Sequence, residues 1–280
     1  MRDDWIKLDI APMSVFRTFD CGQCFRFEST AAKDFEYEVS GIAFGRCVSF
    51  AEDKCGSVYV KSNEADVRDI WNVFLDSDTD YNAVNESILS SPLTCGKEHM
   101  ARAVSLSEGI RILRQDKWET LVSFIISQNN NIPRIKKIIF AMCEKFGERI
   151  EGGYAFPTPK ALVDAGEDAI FDLKTGFRAK YIYDAAKKVV NGDVSFDEIS
   201  AAEKYEEAEK LLLGIKGVGP KVAACTLLFG FGRYDAFPID VWIKKVLAKY
   251  YTEGFDPASF GKYAGIAQQY LFYSERYIMN

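Results

Sequence analysis

Lys221 and Asp240 are the residues of this sequence that best suit covalent chemistry. Lys221 follows a glycine-rich turn and begins a run of small and apolar residues, whereas Asp240 follows Pro238-Ile239 and opens another run. A lysine amine attacks carbon only when it is unprotonated, and burial at the positive end of a helix favours that form. A carboxylate can stabilise positive charge that grows on a substrate. The pair predicts a nucleophile with an electrostatic partner; the alternatives are a phosphate-binding surface lysine and an aspartate that only caps its helix.

The turn before Lys221 predicts an anion site. It reads Leu213-Gly214-Ile215-Lys216-Gly217-Val218-Gly219-Pro220, a helix end followed by glycines and a helix start. Gly217 and Gly219 allow positive φ and close approach to a partner, and successive amides at a helix start bind phosphate. Lys216 adds positive charge. A simple tight connection between helices is the alternative, whereas a nucleotide P-loop is excluded because the spacing differs and no strand precedes the turn.

Charge is distributed in favour of a local nucleic-acid contact. The formal net charge of the 280 residues is −6, which as a whole argues against a nucleic-acid partner. Residues 211–250, however, carry six basic side chains against two acidic ones. A duplex touches only one face of a protein, so this basic segment can bind it.

Composition excludes several other classes. No run of about 18 apolar residues is present, and the acidic start Met-Arg-Asp-Asp-Trp is unlike an export signal, so we expect no membrane partner. The seven cysteines are odd in number and scattered, which favours a reducing, intracellular setting over a disulfide framework. Cys21 and Cys24 form a lone Cys-x-x-Cys without a second pair, and His99 is the single histidine. We therefore expect no catalytic metal and no histidine-based triad.

The elements that must position these residues form two parts. Residues 1–104 contain period-2 alternation, as in Phe35-Glu36-Tyr37-Glu38-Val39, which predicts a domain rich in antiparallel sheet. Residues 105–280 change to helical periodicity, with the helix-hairpin-helix at about 203–229 and the Pro-x-Asp loop at 238–240. The fold class predicted is α+β, an N-terminal antiparallel sheet domain followed by a mainly helical domain.

Several segments carry a family resemblance over nearly the whole chain. Gly217-Val218-Gly219-Pro220-Lys221-Val222-Ala223-Ala224-Cys225, with the later Pro238-Ile239-Asp240, resembles the helix-hairpin-helix-GPD superfamily of DNA glycosylases. The 8-oxoguanine branch is indicated by further motifs: Gly22-Gln23-Cys24-Phe25-Arg26-Phe27, Gly109-Ile110-Arg111-Ile112-Leu113-Arg114-Gln115-Asp116, Ser127-Gln128-Asn129-Asn130-Asn131-Ile132-Pro133-Arg134-Ile135, Gly176-Phe177-Arg178-Ala179-Lys180-Tyr181 and Tyr263-Ala264-Gly265-Ile266-Ala267-Gln268-Gln269-Tyr270-Leu271-Phe272. The resemblance implies base-excision repair of 8-oxoguanine in double-stranded DNA, by a monomer that combines glycosylase and AP-lyase activities.

The resemblance also implies a base pocket. Lys221 would attack C1′ of a flipped nucleotide and form a Schiff base that permits strand cleavage, with Asp240 stabilising the sugar. The Gly22 carbonyl would accept the N7 hydrogen that 8-oxoguanine has and guanine lacks. The flipped base would lie between Phe272 and Cys225, and Gln268 would read its Watson–Crick edge.

Contacts to the remaining DNA follow from the same resemblance. Asn129 would fill the space left by the base, Arg134 and Arg178 would bind the orphaned cytosine, and Phe177 would wedge beside it. Phe177 stands where eukaryotic relatives have tyrosine, which predicts a looser preference for cytosine. Trp242 stands where they have histidine, which puts one phosphate contact in doubt.

No cofactor is expected, although the hairpin of this family can hold a monovalent cation. The expected location is the cytoplasm or nucleoid of a prokaryote, or the nucleus of a eukaryote.

Rival functions stay open. The iron–sulfur motif of endonuclease III-like enzymes is absent, since the last cysteine is Cys225, and alkylated-base glycosylases lack a lysine such as Lys221. A non-catalytic DNA-binding hairpin, a helical protein-interaction domain and a glycosylase for a different oxidised base are the alternatives. Salt-dependent DNA binding and lesion preference discriminate among them.

Overall fold

A five-stranded antiparallel sheet forms the first part of the fold. The computed structural model describes residues 4–32, 34–92, 97–251 and 255–278, with side chains to residue 276. The sheet has the order β1-β5-β4-β3-β2. Its strands are β1 Trp5–Lys7, β2 Phe27–Ser29, β3 Tyr37–Ala43, β4 Arg46–Glu52 and β5 Val58–Lys61, and helix α1 Val15–Asp20 packs against β3 and β4. Alternate residues of each strand, such as Val48 and Phe50, point into a core of aromatic rings.

Helices make up most of the remainder. In chain order they are α2 Glu64–Asp66, a π-helical turn Val67–Trp71, α3 Asn72–Phe74, α4 Tyr81–Ser90, α5 Glu98–Leu106, α6 Lys117–Ser127, α7 Ile132–Phe146, α8 Pro159–Ile170, α9 Ala179–Asn191, α10 Phe196–Ala201, α11 Tyr205–Leu213, α12 Pro220–Phe231, α13 Val241–Tyr250 and α14 Ala264–Tyr273. A small hairpin, β6 Arg149–Ile150 and β7 Gly153–Tyr154, follows α7. Among the described residues, no helix is both long and apolar enough to cross a bilayer.

The predicted α+β architecture is confirmed, although the sheet occupies less of the N-terminal part than the sequence suggested. The last strand of the sheet ends at Lys61, and helices take up most of the chain from Glu64 to Leu106. Val84 and Ile88 of α4 are four residues apart, so they face the same side and join the core of the helical part. The described residues therefore form two apolar cores, one beneath the sheet and one among the helices, and the segment 1–104 contributes to both.

The two cores are joined by an extended segment that ends at the N-cap of α6, Asp116. Its central residue, Arg111, is 1% exposed and lies 4.2 Å from the centroid of the Tyr81 ring. Its guanidinium donates hydrogen bonds to four backbone carbonyl groups, which belong to Pro12, Leu75, Asp76 and Thr79. Burial lowers the pKa of Arg111, and five hydrogen-bond donors placed against four carbonyl groups offset that cost.

We expect Arg111→Met to lower the free energy of unfolding by about 3–5 kcal/mol, because it leaves several buried carbonyl groups without a donor. Chemical denaturation measures the change. Arg68→Met is the matched control, since Arg68 is an exposed residue that forms an ion pair with its neighbour Asp69. The control should change stability by less than about 0.5 kcal/mol. Equal losses in the two variants would show that the buried carbonyl contacts contribute nothing particular.

Candidate active site

A cavity of about 840 Å³ lies where the helices meet the loop after α1. It brings together ten of the residues singled out from the sequence, namely Gly22, Asn129, Phe177, Gly219, Lys221, Cys225, Asp240, Trp242, Gln268 and Phe272. The other four, Arg134, Arg178, Lys216 and Gly217, do not line it. These ten come from segments that are up to 250 residues apart, so the fold itself assembles the cavity.

Lys221 enters the cavity from the first turn of α12. This helix is apolar on all sides and runs through the core, with every residue from Val222 to Gly230 buried. The Lys221 amine donates to Ser127 Oγ at 3.1 Å and lies 5.0 Å from the centroid of the Phe124 ring. Pro220 occupies the first position of the helix, where no amide donor is required. The lysine is thus held on a rigid element, at the positive end of its dipole.

Asp240 faces the same cavity from the start of α13. Its Oδ1 accepts from the amides of Trp242 at 2.9 Å and Ile243 at 2.8 Å, so the residue is an N-cap. Its Oδ2 has no hydrogen-bond partner among the described residues. The cap fixes one oxygen and leaves the other for a substrate. Capping and electrostatic stabilisation are therefore compatible in this residue.

The Cys225 thiol is within the range of both of these charges. Burial raises its pKa, the Lys221 amine opposes that rise, and the Asp240 carboxylate adds to it. The thiol therefore stays protonated near neutral pH, which suits a small neutral wall of a pocket better than a nucleophile. Lys221 is the nucleophilic side chain that the geometry offers.

Gly22 lies beside the cavity in a left-handed conformation, with φ +81°. A Cβ atom built there would be 3.6 Å from the Phe272 ring, so the glycine backbone forms the wall that faces this aromatic residue. The loop is clamped on both sides. Gln269 Nε2 donates to the Cys21 carbonyl at 2.9 Å, and the buried Gln23 amide bonds the segment before α6.

Gln268 is a buried polar residue of α14 that lines the cavity. It is 4% exposed, and its Oε1 is buried without a hydrogen-bond partner in the part of the chain that is described. An unpaired buried oxygen costs about 1–3 kcal/mol, so such an atom indicates that a ligand completes it. Phe272, one turn later on α14, and Cys225 on α12 supply apolar surface to the same cavity.

The loop after α6 is held by a buried arginine. Arg178 donates to the carbonyls of Gln128, Asn129 and Thr175, and it is 3% exposed. Asn129 is exposed and has a positive φ of 47°, which is uncommon outside glycine. In this conformation Arg178 supports the Asn129 loop from inside. A direct contact with a DNA base would require the guanidinium to exchange some of these carbonyl partners.

Arg134 and Phe177 are exposed beside that loop. Arg134 Nη2 donates to the Lys174 carbonyl at 3.2 Å, and the Phe177 side chain is 48% exposed. The Phe177 ring packs edge-on against Tyr181, with centroids 5.8 Å apart. An exposed aromatic ring at the rim of the cavity is the arrangement expected of a residue that inserts into a stack of bases.

The hairpin 214–219 depends on the same tyrosine. Gly217 has φ +79°, and a Cβ there would be 2.3–2.5 Å from atoms of the Tyr181 ring. A Cβ on Gly219 would meet nothing within 4 Å in the part of the chain that the structure describes, so no contact there requires a glycine. The amides of Gly217 and Gly219 donate no hydrogen bond within the described residues, and the Lys216 amide donates to Asp184. Two unpaired amides at an exposed turn suit a phosphate.

Three functional candidates were not predicted from the sequence. Ser127 orients the Lys221 amine, Tyr181 joins the hairpin to Phe177, and Arg276 lines the cavity after the end of α14. Each depends on contact between distant segments. Only Ser127 and Tyr181 lay inside motifs that the resemblance had marked, and no signal distinguished Arg276 from a surface arginine.

The Cys-x-x-Cys motif has a structural environment. Cys21 and Cys24 are buried free thiols, and burial raises the pKa of Cys21 to about 12. The described residues contain no cluster of three or more histidine, cysteine or carboxylate side chains that could hold a metal ion.

Comparison with known proteins places this fold and cavity in a class. The model of the 8-oxoguanine DNA glycosylase N-terminal domain matches residues 6–121, and that of HhH-GPD superfamily base excision DNA repair proteins matches residues 122–257. The class is thus that of HhH-GPD base-excision repair proteins. More particularly, the chain belongs to the 8-oxoguanine DNA glycosylase family.

Individual relatives support this placement. The structure of MBOgg1 in complex with a low-affinity DNA ligand is 37% identical and has a TM-score of 0.88, covering 100% of this chain and 98% of that chain. The 8-oxoguanine glycosylase/lyase of Clostridium acetobutylicum, in complex with double-stranded DNA containing cytosine opposite 8-oxoguanine, is 35% identical with a TM-score of 0.84, covering 94% and 92%. The N-glycosylase/DNA lyase of Saccharomyces cerevisiae is 37% identical over 159 residues, or 51% of this chain and 42% of the yeast enzyme. The chain therefore aligns with less than half of that curated relative.

The two hairpin glycines should respond differently to alanine. Gly217→Ala should lower the free energy of unfolding by about 2–4 kcal/mol, because its methyl group meets Tyr181 at a positive φ. Gly219→Ala should cost less than about 1 kcal/mol, since its φ of −104° is ordinary and the space beside it is open. Thermal or chemical denaturation of both variants measures this contrast. Similar stability losses would contradict the assignment of Gly217 to packing and of Gly219 to an external partner.

Proposed function

We propose that this protein excises 8-oxoguanine from duplex DNA and then cleaves the strand at the resulting abasic site. The observation that carries the proposal is that one cavity holds three functional groups. They are the Lys221 amine, the Asp240 carboxylate, of which one oxygen is used by the helix cap, and the Gln268 side-chain oxygen, which has no partner among the described residues. The first two suit attack on a sugar, and the third suits recognition of a base. Membership of a family of DNA glycosylases supports the same conclusion.

The chemistry runs through Lys221. Its unprotonated Nζ forms a bond to C1′ while the C1′–N9 bond breaks and its electron pair leaves with the base. The amine loses a proton, the base gains one, and opening of the sugar ring yields a Schiff base. Removal of a C2′ proton then expels the 3′ phosphate by β-elimination. Asp240 Oδ2 stabilises the positive charge that the sugar carries before the new bond is complete.

Recognition of the base uses the other walls. The Gly22 carbonyl accepts from N7–H, which 8-oxoguanine has and guanine lacks. Gln268 takes the Watson–Crick edge, and the donors there satisfy its orphaned Oε1. The base plane lies against Phe272 on one side and Cys225 on the other.

The DNA is held outside the cavity by the rim. The amides of Gly217 and Gly219 bind phosphate, with Lys216 adding positive charge, while Trp242 offers its indole N–H to a further phosphate. Asn129 fills the gap that the flipped base leaves, and Phe177 wedges beside it. Arg134 and Arg178 bind the unpaired cytosine, the first from its exposed position and the second after it releases part of its carbonyl contacts.

No redox cofactor or catalytic metal enters this proposal. A monovalent cation at the hairpin is supported by the carbonyls of Leu213 and Val218, neither of which accepts a hydrogen bond from the described residues. The protein acts as a monomer inside the cell, at the DNA of the nucleoid or the nucleus. The division at 104/105 stays a prediction about how the chain is organised.

Borohydride trapping tests the proposal directly. With one 8-oxoguanine in a duplex, the wild-type protein should give a covalent complex, because borohydride reduces a Schiff base to a stable amine. Lys221→Gln should abolish trapping while lesion binding is retained. Lys244→Gln is the matched control, since Lys244 also lines the cavity but lies on α13 and not on α12. This variant should still form the covalent complex at saturating protein.

Other outcomes separate the rival functions. DNA binding without trapping or base release by the wild type would favour a non-catalytic DNA-binding hairpin. Trapping on another oxidised base in place of 8-oxoguanine would keep the chemistry and change the substrate. An absence of salt-dependent DNA binding would favour a protein-interaction domain.

Arg134→Met should reduce excision opposite cytosine by about tenfold more than excision opposite adenine, because a specific arginine–base contact is worth about 1–3 kcal/mol. The change should leave stability within about 0.5 kcal/mol, since Arg134 is exposed. Single-turnover rates with each opposite base measure the preference. Equal loss with all four bases would assign Arg134 to the DNA backbone instead.

A further inference from the structure

Arg276 stands at the end of the cavity that lies against Gly22 and Phe272. Its Cζ is 5.5 Å from the centroid of the Phe272 ring, and its Nη1 is 3.5 Å from the point where a Cβ on Gly22 would lie. The residue lines the cavity together with Lys221 and Asp240. A fixed positive charge therefore borders the wall that we assigned to the base.

The neighbouring groups of the base match this arrangement. In 8-oxoguanine the N7–H donor and the O8 acceptor are on adjacent atoms of the five-membered ring. The Gly22 carbonyl is an acceptor for the first, so a donor close to Gly22 is positioned for the second. A guanidinium offers five N–H donors and remains charged at every relevant pH.

We propose that Arg276 donates a charge-assisted hydrogen bond to O8 of the flipped base and is a determinant of both lesion specificity and excision rate. This inference rests on the proposed function, because it names a contact within the same site. Guanine has no O8, so the contact adds discrimination to that of the Gly22 carbonyl.

The same contact acts on the leaving group. When the C1′–N9 bond breaks, its electron pair passes to N9 and is shared through C8 with O8. The guanidinium stabilises this negative charge, and the base takes up a proton as it departs. Interactions that strengthen as charge develops accelerate the reaction rather than merely tightening binding.

The surroundings of Arg276 hold it in place. Asp20, at the C-terminal end of α1, is close enough that the guanidinium charge lowers the pKa of its carboxyl group against the larger, opposite effect of burial. Lys136 exerts the same lowering effect on Asp20. Phe272 supports the guanidinium by a cation–π contact. The arginine therefore lines the cavity beside Phe272, with the carboxyl group of Asp20 within the range of its charge.

Two substrates and three variants test the proposal. Arg276→Met should slow single-turnover release of 8-oxoguanine by about 10–100-fold, the equivalent of one charge-assisted hydrogen bond. Cleavage of a duplex that already contains an abasic site should change less than about twofold, because no base is present to contact. Arg276→Lys should recover part of the rate. Arg17→Met is the matched control, since Arg17 binds the Glu108 carbonyl at 2.8 Å and does not line the cavity.

A binding measurement isolates the contact to O8. Duplexes with uncleavable 2′-fluoro nucleotides carry either 8-oxoguanine or guanine, and the ratio of their Kd values should fall about tenfold in Arg276→Met. Equal weakening for both bases, or equal slowing of base release and abasic-site cleavage, would overturn the proposal by showing a general DNA contact. A wild-type protein that releases no 8-oxoguanine would instead overturn the proposed function.

Discussion

The buried amide of Gln23 is the contact on which the catalytic cavity depends. Its Nε2 donates to the carbonyls of Thr18 at 2.9 Å and Arg111 at 2.8 Å, and its Oε1 accepts from the Leu113 amide at 2.9 Å. The bonds to Arg111 and Leu113 join the loop that contains Gly22 to the segment that connects the two cores, and the bond to Thr18 joins it to the end of α1. Moving the loop would leave both ends of the amide unpaired in the interior, so Gly22 keeps its place beside the helices.

The cavity that depends on this contact is lined by one carboxylate and one guanidinium, which come from different helices. In the proposed reaction, Asp240 supplies a negative charge, and its charge and that of the Lys221 amine both act on the Cys225 thiol. Arg276 supplies a positive charge beside Gly22. Glycosidic cleavage produces a positive sugar and a negative base, so this polarity matches the charges of the transition state. Because the groups are held by a helix cap and by an aromatic ring, they need little reorganisation when the bond breaks.

How much could be predicted from the sequence depended on the range of the interactions. Lys221, the hairpin glycines and the Asp240 cap follow from neighbours within a few residues, and the structure places them as the local pattern suggested. Arg178 has the type of a surface residue, but the Asn129 loop, some 50 residues away, surrounds it with carbonyl oxygens. Its burial could not be read from its own segment.

The helices between Glu64 and Leu106 were missed for a related reason. They are short, and their apolar positions are shared between two different cores, so the periodicity in any one window is weak. Arg276 is a further case, because only folding brings it to Gly22, more than 250 residues earlier in the chain. Local rules thus located the chemistry, whereas the walls of the cavity required the fold.

The rigidity of α12 has a consequence for the DNA. Lys221 is the second residue of a helix whose next nine residues are all buried, so its backbone cannot advance toward a substrate without disturbing the core. The distortion required for contact therefore falls on the nucleic acid, which must bend and release the nucleotide to reach a stationary amine. Nucleotides whose base pairs open at a low free-energy cost will reach Lys221 more often than nucleotides in stable pairs. In the proposed reaction, the deformability of the DNA is therefore a first selection step, before any atom of the base is read.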